Sequence, residues 1–228
     1  MNKNIKIVKK SEANNYFDRN LYFYKSDVGG EDILDDRISD LIKVNNLNSK
    51  SVLEIGCATG IKLNQYQQIL NSKINYGIDL SSKAIKLGRK KYKNLKLLKL
   101  SSLEINKIKQ EFDLIICGFF LYLLDREEIF NQFNLIYKKL SPNGYLIIND
   151  FDPLFKHTNT SIHNKNLKSY KTSYDNFLEE SGLFKVVYKI RNNHNLLKVN
   201  NKKIFKSDDV SLTLYRKINF TASYPQNI

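Results

Sequence analysis

From Ser51 to Phe151 the chain alternates two kinds of segment, and that alternation limits the fold more than any other feature. "SVLEIG", "INYGIDL", "LKLLKL", "FDLIICGFF" and "YLIINDF" are short apolar runs rich in Ile, Leu, Phe and Tyr. Between them, "TGIKLNQYQQIL", "SSKAIKLGRKKY" and "DREEIFNQFNLIYKKL" carry apolar residues at helical spacing. Ser81 has the chemistry of an N-cap for the second of these. The third opens acidic and closes basic, as the helix dipole favours. "SSLEINKIK" reads as a loop or turn, and "SPNG" as a turn. Strands alternating with helices form parallel βαβ units that close right-handed into a doubly wound sheet.

The pattern breaks at 152–171, which is polar, aromatic and contains His157 and His163. A helix resumes in "SYDNFLEESGLF", with Gly182 near its end. "FKVVYKIRN" and "DVSLTLYRKI" are too close in sequence for a helical crossover, so they form an antiparallel pair. The expected fold class is α/β. It is a Rossmann-like, doubly wound, mostly parallel seven-stranded sheet closed by that C-terminal pair. The expected organisation is an N-terminal lid or helical segment (1–48), a main domain (49–218, with 152–171 as a substrate-side insertion) and a tail (219–228).

The charge of +14 raises the question of nucleic acid. The lysines are spread along the chain with much Asn and Ile, as AT-biased coding would produce, so charge alone does not favour that partner. No run is long enough for a membrane helix. The N-terminus has no apolar core followed by a cleavage site, so the expected compartment is the cytoplasm. Cys57 and Cys117 end apolar runs and read as small buried residues, and no metal site is expected.

Ligands of such sheets bind at the carboxyl ends of the strands. There Gly56 and Gly60 bracket a small-residue turn, and Asp79 ends the second strand, where a carboxylate accepts from ribose hydroxyls. Dinucleotides and S-adenosylmethionine both fit a glycine turn with a ribose acid. The dinucleotide pattern G-x-G-x-x-G is out of register in Gly56-Cys57-Ala58-Thr59-Gly60-Ile61. Glu54 would also repel a pyrophosphate and welcome a cation. These residues favour the sulfonium cofactor. Ala58 stands at a turn position that we expect not to require positive φ.

"VLEIGCATG", "GIDLS", "FDLIICGFFLYLLDREEIF", "LSPNGYLII" and the terminal strand pair resemble the class I S-adenosylmethionine-dependent methyltransferases over residues 50 to about 217. The first segment is similar to that family's E/D-x-G-x-G-x-G motif, with Ala58 in place of the middle glycine. The resemblance implies S-adenosyl-L-methionine as cofactor and S-adenosyl-L-homocysteine as product. It implies that Glu54 orients the methionine amine, that Gly56, Cys57 and Gly60 line the ligand, and that Asp79 holds the ribose beside Leu80. Where the family often has an acid facing the adenine amine, this chain has Ser101, Ser102 and Leu103. Cys117, Gly118 and Phe119 would flank the methionine and the methyl group.

Methyl transfer is an in-line displacement that rests on alignment, and a hydroxyl acceptor also needs a base. The expected candidates are His157, then His163, then Asp150. Their stretch, "DFDP…H…H…YK-x-x-Y", resembles a methyltransferase branch found with surface-polysaccharide pathways. Asn149 to Pro153 follows the fifth strand, so it does not match the Asn/Asp-Pro-Pro-aromatic turn that follows the fourth strand in amine methyltransferases. Tyr16, Phe17, Tyr22 and Tyr24 form a candidate lid next to Gly29-Gly30. The expected acceptor is a small molecule, such as a sugar or polysaccharide precursor. The competing readings are an RNA or protein methyltransferase of the same fold and a non-catalytic cofactor-binding module.

Overall fold

The computed structural model describes residues 3–25, 37–193 and 209–220. Its centre is a seven-stranded sheet ordered β3-β2-β1-β4-β5-β9-β8. The strands are β1 (Ser51–Ile55), β2 (Ile74–Asp79), β3 (Lys96–Lys99), β4 (Phe112–Gly118), β5 (Leu140–Phe151), β8 (Phe184–Asn193) and β9 (Asp209–Lys217). The first five run parallel, and β9 is antiparallel to both β5 and β8. This is the expected doubly wound sheet with its closing pair.

β1 lies at the switch point, between β2 and β4, and all five of its residues are buried. Alternation along the strands sends side chains into two cores. Leu53, Ile55, Ile115, Ile148 and Tyr215 pack on one face with Phe133 and Leu178. Val52, Leu114, Ile116, Ile147 and Leu214 pack on the other with Ile42, Leu63 and Tyr66. The main-domain helices are α4 (Arg37–Val44), α5 (Ile61–Leu70), α6 (Ser82–Lys91), α7 (Ile129–Lys139) and α8 (Asp175–Glu180). Ser81 caps α6 as expected, its Oγ accepting from the Ala84 N–H at 3.1 Å.

Several local readings change. Residues 102–107 form a 3₁₀ helix, not a loop. The "SPNG" segment is absorbed into β5 as an irregularity that shifts the β4 register between Phe112 and Leu114. The 152–171 insertion folds into a two-stranded ribbon, β6 (His157–Thr160) with β7 (Lys168–Lys171). The N-terminal segment, expected as a lid or helix, is helical over its described residues: α1 (Lys3–Ile7), a π turn at Val8–Glu12, α2 (Ala13–Arg19) and α3 (Leu21–Lys25). Gly29, Gly30 and the 221–228 end of the tail lie outside the described residues, as do Ile33 and Leu34, whose helical spacing continues in the sequence to Ile38, Leu41 and Ile42.

Candidate active site

The parallel registers place the candidate residues on one rim. Ile55 is opposite both Ile78 and Cys117, so Gly56, Asp79 and Gly118 each lie one step beyond. Gly118 is opposite Asn149, which carries Asp150 to the same rim.

The turn after β1 is pinned by hydrogen bonds. The N–H groups of Gly56 and Cys57 both donate to the Ile78 carbonyl, at 2.9 and 3.0 Å. The N–H of Ala58 donates to Asp79 Oδ2 at 3.0 Å, and that of Ser81 to Oδ1 at 2.7 Å. Asp79 therefore fixes the turn while its remaining lone pairs stay available to a ligand. Burial pushes the Asp79 carboxyl up, and the backbone N–H donors hold it partly back.

Ala58 sits at φ 47°, contrary to the expectation from sequence. The other non-glycine residues at positive φ, among those described, are Asn46, Asn71, Asn143 and Phe119. Asparagine tolerates that region. Ala58 and Phe119 do not have that excuse, and both flank the site. Strain of this kind concentrates where a ligand dictates backbone geometry.

The rim also contains space. Gly56, at φ 80°, faces Gly118, whose carbonyl would be 3.7 Å from an added Cβ. A Cβ built on Gly118 itself meets nothing within 4 Å. Glu54 is buried behind the turn. Cys57 and Cys117 are buried free thiols. Burial pushes both up, aided by Glu54 and Asp79 at Cys57 and by Asp150 at Cys117, so neither is a ready nucleophile. Leu80 is half-buried after β2. Beyond β3, Ser102 and Leu103 open the 3₁₀ helix, where Ser101 Oγ accepts from the Leu103 N–H at 3.4 Å. A buried acid, a ribose-type acid, a fixed turn and open space at Gly118 fit S-adenosylmethionine. When bound, that cofactor supplies an electrophilic methyl group.

The N-terminal helices cross this rim. Asn4 is buried and clamps one end: its N–H donates to Asp125, and its amide donates to the carbonyls of Leu123 and Lys168. Asn14 fixes the other end, its Oδ1 accepting from Ser81 Oγ at 2.9 Å. Lys83 pairs with Asp18 at 2.6 Å, and Lys9 with Glu104 at 3.3 Å. Phe17 is buried and stacks on Tyr24 at 5.3 Å, whereas Tyr22 is exposed and turned away. The Tyr24 phenol is pushed up by burial first, and Tyr16, Asp79, Glu54 and Cys57 push it the same way; its backbone carbonyl accepts from Lys91 Nζ at 3.1 Å. Sequence pattern gave no sign of Asn4 or Asn14, because a clamp made by a side-chain amide has no periodicity.

Near the end of β5, Asp150 is 2% exposed. It accepts from the N–H groups of Phe151 (2.7 Å) and Tyr122 (3.3 Å). Burial lifts its carboxyl to about 7, against the pull of those N–H groups and of Arg126. The Phe151 ring meets Tyr122 and Phe119 edge-on, and the Lys171 ammonium lies 4.2 Å over it. His157 opens β6 opposite Lys171. Its Nδ1 lies 2.9 Å from the Phe155 carbonyl, which only accepts, so Nδ1 carries a proton. Nε2 is buried and has no hydrogen-bond partner. His163 is exposed in the turn at the far end of the ribbon. The structure thus gathers the turn, Asp79, Gly118 and Asp150, with His157 on the ribbon and His163 apart. Among the described residues, no group of three or more His, Cys, Asp or Glu is placed to hold a metal ion, and no helix is long and apolar enough to cross a membrane.

Comparison with known proteins agrees with this geometry. A family model described as a methyltransferase domain matches residues 46–203. An uncharacterised protein of Rickettsia prowazekii is 27% identical over 150 residues, 62% of this chain; the match spans 60% of that protein's length. Among solved structures, the magnesium protoporphyrin IX methyltransferase of Synechocystis with bound S-adenosylhomocysteine superposes with a TM-score of 0.66 at 14% identity, covering 93% of this chain and 99% of that one. The N-methyltransferase NodS of Bradyrhizobium japonicum, also with S-adenosylhomocysteine, gives a TM-score of 0.61 at 16% identity over 91% of this chain and 99% of that one. The 1,6-didemethyltoxoflavin-N1-methyltransferase of Burkholderia thailandensis gives 0.59 at 15% identity over 91% of each. The chain belongs to the class I S-adenosylmethionine-dependent methyltransferases.

Proposed function

We propose that this enzyme methylates a small-molecule acceptor, with Asp150 taking the acceptor's proton. The observation that carries the reading is the closure of the rim by the N-terminal helices. Clamped at Asn4 and at Asn14, they cross the rim and favour an acceptor smaller than a folded macromolecule. The toxoflavin-precursor and porphyrin enzymes of this fold are named for small acceptors. A sugar or polysaccharide precursor is one such class.

Glu54, the turn and Asp79 would hold the cofactor, with Leu80, Ser102 and Leu103 toward the adenine. Cys117, Gly118 and Phe119 would face the methyl group. The acceptor would lie among Phe119, Tyr122 and Phe151, next to Asp150. As an acceptor oxygen or nitrogen gains the methyl group it gives up its proton, and a carboxylate that binds a proton near pH 7 can receive it. His157 Nε2 is the second candidate base, since Nδ1 carries a proton. His163 is a weaker one, at the exposed turn.

The test incubates the full chain with methyl-labelled S-adenosylmethionine and a cell extract. The extract is then separated into ultrafiltrate, RNA and protein. Label in the ultrafiltrate, reduced by Asp150→Asn, supports the proposal. Label confined to RNA or protein contradicts it.

A further inference from the structure

The two edges of the sheet differ in a way the methyl-transfer site does not explain. β3 is an outer strand, and along it runs an open cleft of about 600 Å³. Leu98, Leu100 and Ile108 line the cleft with apolar surface, and Tyr76 adds an aromatic ring. Arg89, Lys99, Lys107 and Lys109 supply four cations, and no acidic residue lines it. Lys107 pairs with Glu104 at its margin, while Lys99 and Lys109 have no ion-pair partner among the described residues. Lys96 extends the row of cations, its ammonium 3.3 Å from the Tyr76 hydroxyl and 5.0 Å over that ring, so a base reaching Tyr76 must displace a mobile lysine side chain.

We propose that this cleft binds the phosphodiester chain of a single-stranded nucleic acid. Concentrated positive charge over an apolar and aromatic floor is what such a chain requires: ammonium and guanidinium groups for phosphates, and flat surface for bases. An acidic peptide added as a further strand is disfavoured, because the Arg89 side chain already donates to the Leu97 carbonyl of β3 at 2.8 Å. A membrane surface is disfavoured by the concave shape. The net charge of +14 adds long-range attraction. The Leu100 N–H bonds the Asp79 carbonyl, so the cleft begins beside the ribose end of the methyl-donor site and leads away from the acceptor side. This inference does not depend on which acceptor is methylated.

The experiment is fluorescence anisotropy of a labelled oligouridylate of about 12 nucleotides, titrated with the full chain at several salt concentrations. K99E/K109E is compared with K43E/K138E, which carries the same charge change on exposed lysines of α4 and α7. K99Q/K109Q is a milder second variant. Thermal melting checks that each variant is folded. The proposal expects salt-dependent binding to the wild type and at least about a tenfold loss in K99E/K109E. Loss of two phosphate contacts should also flatten the logarithmic salt dependence by about 1.4. The control pair should lose no more than about twofold. No binding by the wild type, equal losses in both charge-reversed pairs, or binding to phosphatidylserine vesicles without binding to RNA would each overturn it.

Discussion

The carboxylate of Asp79 accepts the backbone N–H of Ala58 at 3.0 Å, tying the end of β2 to the turn after β1. One side chain thus shapes the turn and, in the proposed site, would also hold the ribose. Asp79→Ala removes both roles. Hydrogen bonds to a charged group are worth about 1.5–3 kcal/mol, so affinity for S-adenosylhomocysteine should fall by at least about tenfold. Isothermal titration of the variant checks this; unchanged affinity would remove Asp79 from the site.

Ala58 at φ 47° is strained. The left-handed region costs an L-residue roughly 1–2 kcal/mol, and glycine's extra unfolded-state freedom returns about 0.5–1 kcal/mol of that. Ala58→Gly should therefore stabilise the protein by about 0.5–1 kcal/mol, a rise in Tm of roughly 1–4 °C. Thermal melting decides it. A fall in Tm would show that Ala58 is not strained.

Helix α6 rests on the same turn. A Cβ on Gly88 would come within 2.2 Å of the Thr59 carbonyl oxygen, a backbone atom that cannot step aside alone. Gly88→Ala should destabilise by about 1–3 kcal/mol and weaken S-adenosylhomocysteine binding by displacing residues 58–60. Denaturant unfolding with ligand titration measures both; normal stability and binding would contradict the packing of α6 on the turn.

What could be read from sequence follows from what writes periodic patterns. The five parallel strands, the Ser81 cap, the glycine turn and Asp79 were legible because apolar alternation and small residues leave local signals. The attachment of the N-terminal helices was not. The side-chain amides of their anchors act over separations of 119 and 164 residues at Asn4 and 67 at Asn14. The φ of Ala58 was also hidden, since it is imposed by Ile78 and Asp79 from another strand. The 152–171 ribbon is mostly polar and carries no apolar alternation, so its pairing was invisible. Asp150 ranked below two histidines on residue chemistry alone. Its burial, which lifts the carboxyl to about 7, comes from long-range packing that residue type does not encode.

Asp150 binds its proton at about 7 in the fold, against the ordinary 3.8. Folding therefore favours the protonated acid. Its stabilising contribution is full below about pH 3.8 and is lost as pH rises through about 7. Relative to Asp150→Asn, the wild type should lose unfolding free energy between those values and change little above them. Once an acceptor is known, turnover should rise through about pH 7 in the wild type, and that rise should be absent in Asp150→Asn. If His157→Gln abolishes the rise and Asp150→Asn keeps it, His157 is the base.

The rim formed by Gly56, Asp79 and Gly118 should hold S-adenosylmethionine and not a dinucleotide. Isothermal titration of the wild type with S-adenosylhomocysteine, and separately with NAD, distinguishes the two. Saturable binding of S-adenosylhomocysteine at one per chain and no binding of NAD are expected. An absence of S-adenosylhomocysteine binding, or equal binding of NAD, would contradict that assignment of the rim.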